Sequence, residues 1–75
     1  MSILNVPDRV RNIGNSAFYT NKLTGLTLPD FLKTIGYEAF MDNELTVVEV
    51  DINTNVANNA FDSNVDVKRV EEVFN

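Results

Sequence analysis

Ile13-Gly14-Asn15-Ser16-Ala17-Phe18 recurs as Ile35-Gly36-Tyr37-Glu38-Ala39-Phe40 and, with more changes, as Val56-Ala57-Asn58-Asn59-Ala60-Phe61. Phe18, Phe40 and Phe61 stand 22 and 21 residues apart. That period is one small supersecondary unit and far too short for a domain, so the chain reads as a short solenoid of stacked coils.

The same period organises the flanks. Leu4-Asn5-Val6-Pro7 aligns with Leu26-Thr27-Leu28-Pro29 and with Val48-Glu49-Val50-Asp51. Each has the apolar, polar, apolar alternation of a strand with one buried face. Pro7 and Pro29 end the first two strands, because proline removes a ladder donor, and Asp8 and Asp30 follow as turn formers. Val10 and Leu32 precede Ile13 and Ile35 by three residues, which places two inward side chains on a second short segment, extended or helical. The third copy is one residue shorter there, so Thr54 or Ile52 serves in that position. Gly14 and Gly36 mark a sharp turn or a close approach to a neighbour, with positive φ the conformation glycine adopts most freely. Ala57 fills their column in the third copy.

Ala17-Phe18, Ala39-Phe40 and Ala60-Phe61 set a small residue beside a large one, the pairing that lets stacked coils interdigitate. The three phenylalanines therefore read as an internal aromatic stack. A polar turn follows each of the first two, with Asn21 and Asn43 in one column. Asparagine tolerates left-handed backbone and bonds nearby main chain, so its amide is expected to satisfy backbone groups along the stack. After Asn64 the pattern changes. Val67, Val70 and Phe74 have helical spacing with Lys68 and Glu72 four apart, yet Val65 and Val67 also alternate as a strand. The end is read as a last strand or a short helix that caps the coil stack. On this reading residues 1–75 form one domain, with repeats over about 4–25, 26–47 and 48–68 and a cap over about 65–75.

Composition narrows the function. Seventy-five residues make a small core. With no cysteine and no histidine, disulfides and a structural zinc site are out of reach, and no cofactor is called for. Eleven carboxylates against six scattered cations give a net charge of −5, which disfavours nucleic acid. No apolar run approaches the roughly 20 residues of a membrane span. Met-Ser-Ile-Leu-Asn shows neither the basic nor the apolar region of a secretory signal.

The frame Leu-Thr-x-Leu-x-Leu-Pro-x-x-Leu-x-x-Ile-Gly-x-x-Ala-Phe, from Leu23 to Phe40, resembles the BspA-type leucine-rich repeats of bacterial surface proteins. Asn21 and Asn43 in the turn after phenylalanine are similar to a Cys-free subset of that family. The resemblance covers residues 3–62 and is intact in the first two copies. The third departs from it at Asp51, at Ala57 and by the missing residue. It implies a β-rich solenoid of the α/β leucine-rich-repeat type: a right-handed coil of about three repeats of 21–22 residues, with one short parallel sheet along one side and turns, short strands or helical pieces on the other. It also implies a protein-interaction or adhesion module, outside the cell or at its surface, with no shared catalytic residues. A spacer or end unit that self-associates by coil stacking, with no ligand of its own, is the alternative. Either way the partner is a protein ligand or a second copy.

Site candidates follow from the frame. Stacked strands would place Asn5, Thr27 and Glu49 in one outward column, with Gly25 and Val47 in another beside it. Tyr19, Phe31, Tyr37 and Met41 fall at variable positions and form a second candidate surface. Asp51-x-Asn53-x-Asn55 with Asp62 has the spacing of a calcium loop, but Val56 stands where that loop needs glycine and Asp62 where it needs a bidentate Glu. Ser2, Ser16 and Ser63 have no base near them in sequence, and Glu71-Glu72 reads as a solvated face, so the chain is not read as an enzyme. If the phenylalanine stack is the core, Phe40→Ala costs about 3–5 kcal/mol and abolishes cooperative melting; an unchanged thermal midpoint would refute the stack.

Overall fold

The computed structural model describes residues 2–71, and these form a β-solenoid of about three stacked coils with no helix among them. Each coil contributes a longer strand, then a corner, then a two-residue strand, then a turn carrying the phenylalanine. The longer strands are β1 (Ser2–Asn5), β3 (Leu23–Thr27), β5 (Val47–Asp51) and β7 (Asp66–Val70). The short ones are β2 (Asn12–Ile13), β4 (Thr34–Ile35) and β6 (Asn55–Val56). All pairing is parallel, as successive coils running in one sense require.

The core is the set of inward columns that the repeat predicts. Ile35, Phe40, Leu45 and Val50 are its largest fully enclosed side chains, with Ala39 and Ala60 buried beside the rings. Phe18 lies 5.3 Å from Phe40 between ring centroids, and Phe40 lies 5.3 Å from Phe61, each pair tilted by only 7°. The spacing is close to that of adjacent strands, so the rings repeat with the backbone. Phe18 N–H donates to Ala39 O at 2.7 Å and Phe40 N–H to Ala60 O at 2.7 Å, which locks each ring over the next. Asn43 acts as expected of its column. Its amide donates to Phe18 O and Phe40 O, both at 2.9 Å, while its carbonyl accepts from Asn21 N at 3.1 Å and Leu23 N at 2.8 Å.

The third coil departs from the first two in three ways. Thr54, not Ile52, takes the position of Val10 and Leu32. It is 2% exposed and its hydroxyl donates to Leu32 O at 2.7 Å, whereas Ile52 is 50% exposed. The missing residue falls just after Thr54, because Thr34 pairs with Asn55 and Ile35 with Val56. The turn after Phe61 is shorter as well. Ile3 opposite Gly25 marks a circuit of 22 residues, but Val48 opposite Val67 marks one of 19. In that shorter turn the Asp62 carboxylate accepts from Asp42 N at 3.0 Å, an acceptor role that Asn43 plays one coil above.

Two expectations are corrected. The longer strands do not make one sheet: β1 pairs with β3 and β5 with β7, while no ladder joins β3 to β5. The short strands do run through all three coils as β2-β4-β6. The third coil, from β5 to β7, is the shorter circuit and is held to the second through β4–β6 and the ring stack, while the longer strands part between β3 and β5. The second, glycine in a left-handed turn, gives way to the other reading made of it, a close approach to a neighbour. No glycine has positive φ; Ser16, Thr20, Lys22, Glu38 and Asp42 do, with φ between 56° and 61°. Those positions face outward or lie at the surface, where a polar side chain bears the cost of the left-handed region. Gly36 serves instead as a contact. A Cβ there would fall 2.4 Å from Asn15 Oδ1 and 2.7 Å from Asn15 N, whereas one at Gly14 meets nothing within 4 Å, since no coil lies above it.

The chain end beyond Asn64 resolves as a strand: β7 pairs with β5 from Asp66 to Val70. Phe74 and Glu72 lie outside the described residues. Arg69 closes the adjoining corner by donating to Thr54 O, and to Ile52 O at 3.1 Å, carbonyls that no further coil covers. Two identical substitutions at matching positions now separate. Gly36→Ala loses about 1–3 kcal/mol to the forced displacement of Asn15. Gly14→Ala leaves stability unchanged or raised by up to about 1 kcal/mol, because it only restricts the unfolded chain. Urea unfolding of both variants measures the difference, and equal losses would contradict the close approach.

Candidate interaction surface

The outward face of the longer strands is set by their alternation. Leu4, Leu26, Val48 and Val67 turn towards the core, so the residues between them face out. Asn5 stands opposite Thr27 in the β1–β3 ladder and Glu49 opposite Lys68 in β5–β7, all four exposed. The predicted column of Asn5, Thr27 and Glu49 is therefore present in outline, but its middle step is not a paired one. Between Thr27 and Glu49 lies a groove of about 390 Å³, floored by Leu26, Leu28 and Val48 and flanked by Val47 and Lys68. Gly25 and Val47 sit on either side of the same break. The Ile3 side chain lies across Gly25, at 3.2 Å from where a Cβ would be, and is itself 69% exposed.

The second candidate group divides. Tyr19 and Met41 stack in one column of the phenylalanine turn, where Thr20 N donates to Met41 O at 3.0 Å. Tyr19 is 48% exposed and Met41 half-buried. Tyr37 opens the same turn one coil down from Asn15, whose side chain accepts from Tyr37 N at 2.9 Å, and its ring is 60% exposed. Phe31 belongs elsewhere. It lies between β3 and β4, at the corner where the chain passes from longer to shorter strand, and is 62% exposed.

That corner holds two adjoining depressions. One, of about 310 Å³, runs from Arg9 and Asp8 to Phe31; the other, of about 500 Å³, runs from Phe31 to Asn53 and Asn55. Arg11 borders both. The sequence frame already stacks Arg9 above Phe31 above Asn53 and Arg11 above Lys33, yet composition alone gave no reason to single out this column. What makes it a depression is the residue missing after Thr54, which leaves no side chain below Lys33.

Of the string with calcium-like spacing, Asp51, Asn53 and Asn55 lie here, while the Asp62 carboxylate is in the phenylalanine turn and accepts from Asp42 N. Asp51 accepts from Asn53 N at 2.9 Å, a local turn, and the depression it borders also carries Arg11 and Lys33. Cationic side chains oppose a bound cation at that place. Among the described residues no cluster of three or more acidic side chains is arranged to hold a metal ion, and no helix is long and apolar enough to cross a membrane. The family model described as "BspA type Leucine rich repeat region (6 copies)" matches residues 1–72. No curated protein and no solved structure matches the chain.

Proposed function

The chain belongs to the BspA-type leucine-rich repeat family, and on that premise we propose that it is a protein-interaction or adhesion module of a bacterial surface protein. The observation that carries this reading is the split outer face: side chains that differ from coil to coil flank a groove with an apolar floor. Coil-building positions are buried and internally satisfied, so a ligand meets only the variable ones. Contact residues are Asn5, Thr27 and Glu49 on the strand face, with Tyr19, Phe31, Tyr37 and Met41 at the turns and corner. Exposed aromatics of this kind supply binding energy out of proportion to their number. The reading involves no catalysis.

A second reading has its own support. Among the described residues β1 pairs on one side only, and Phe18 is half-buried at the same end of the stack. Such an end is apt for coil stacking with a second copy, which would make the unit a spacer or end piece without a ligand.

One comparison separates them. If the face binds protein, the chain stays monomeric by sedimentation across the micromolar range and captures a purified cell-surface protein from a panel, and Thr27→Arg with Glu49→Arg abolishes capture while the melt is unchanged. Concentration-dependent dimers dispersed by Leu4→Glu, with no capture by any panel member, would establish the stacking reading instead.

A further inference from the structure

We propose that the corner around Phe31 is a binding site for a neutral sugar ring. The inference narrows the adhesion reading, on which it rests, to one ligand class at one place. Phe31 is the only aromatic ring at that corner in the three coils; Arg9 and Asn53 occupy its column above and below. At 62% exposure it offers a flat apolar face between two depressions of about 310 and 500 Å³. The ring face carries the negative pole of its quadrupole, and the C–H face of a sugar presents weakly positive hydrogens to it.

The polar groups around the ring fit hydroxyls. Arg11 and Lys33 are donors, Asp30 and Asp51 acceptors, and the amides of Asn53 and Asn55 both at once. A sugar hydroxyl both donates and accepts, so neighbouring hydroxyls can bridge such unlike partners. Arg11 donates one N–H to Asp8 O at 2.6 Å and keeps its other donors. Among the described residues no carboxylate lies within ion-pair distance of Arg11 or Lys33, the one ion pair being Lys68 with Asp66 at 3.4 Å. Asp51 uses one oxygen on Asn53 N and keeps the other. Three cations, Arg9, Arg11 and Lys33, against three carboxylates, Asp8, Asp30 and Asp51, leave the corner without net charge, which favours a neutral ligand over an acidic one.

A peptide is the less suitable occupant, for a backbone reason. Extended peptides bind repeat surfaces by pairing with free strand edges, and here the main chain is already engaged. Arg11 O accepts from Lys33 N at 2.7 Å, Lys33 O from Asn55 N at 2.8 Å and Leu32 O from the Thr54 hydroxyl at 2.7 Å. Recognition at this corner is left to side chains, which suits a small polyhydroxylated ring.

Saturation-transfer NMR of the whole chain with cellobiose, maltose and lactose tests the site. We expect transfer to the ring protons of at least one disaccharide, with Kd on the order of 1 mM, and shifts of the Lys33, Asn53 and Asn55 amides. Phe31→Ala should weaken binding about tenfold, which is about 1.4 kcal/mol. Ile3→Ala, which trims an equally exposed apolar side chain away from the corner, should leave it unchanged. No transfer to any of the three, or transfer indifferent to Phe31→Ala, overturns the site. So does Phe31-dependent binding of a glucuronate disaccharide or a glutamate-rich peptide where the neutral sugars fail. None of these results bears on protein capture by the strand face, which Thr27→Arg and Glu49→Arg address separately.

Discussion

Everything in this fold depends on keeping one coil about a strand's width from the next. The phenylalanine column shows how tightly that is enforced, with two ring pairs at the same 5.3 Å and the same 7° tilt. Hydrogen bonds fix the step on either side of the rings. Ser16, Phe18 and Thr20 donate down to Tyr37, Ala39 and Met41, while Gly36 donates up to Ile13. A ring can repeat at that interval only if its neighbour is small, hence Ala39 and Ala60, and the chain entering the turn can pass its counterpart only if Gly36 lacks a side chain. Without cysteine no disulfide takes part, and a small domain is stabilised by repetition of one packing solution.

Much of this was legible in the sequence because stacking converts a period into columns. Ile35 and Phe40 announce buried columns, and Asn43 does for the turns what an asparagine in that position should do. The end strand at Asp66–Val70 was one of two open readings, since valines at 65, 67 and 70 fit either period. The position of Thr54 needed the structure, because Ile52 is the more apolar choice and only the hydrogen bond to Leu32 O explains why a threonine is buried instead. Glycine left both readings open for a simple reason: it has two uses, freedom of φ and absence of Cβ, and sequence cannot say which is in force. Here it is the second.

The surface was less legible than the core. The outward column of Asn5, Thr27 and Glu49 followed from alternation, but a regular offset of 22 residues between Leu26 and Val48 does not report that the ladder breaks between β3 and β5. The Phe31 corner was hidden for the opposite reason. Its residues were all visible, in columns, but a deletion reads as a loss of pattern, and its effect in space is to make room.

The left-handed residues in the turns carry a last consequence. Ser16 and Glu38 share a column and nearly the same φ, as do Thr20 and Asp42, though their side chains have little in common. Side-chain identity in these columns is therefore free to drift while the turn keeps its shape from the first coil to the second. Asn59, next in the column of Ser16 and Glu38, does not take the left-handed conformation, so the third coil has given up that turn geometry along with the signature. Its phenylalanine still stacks, so register between coils outlasts the shape of the turn.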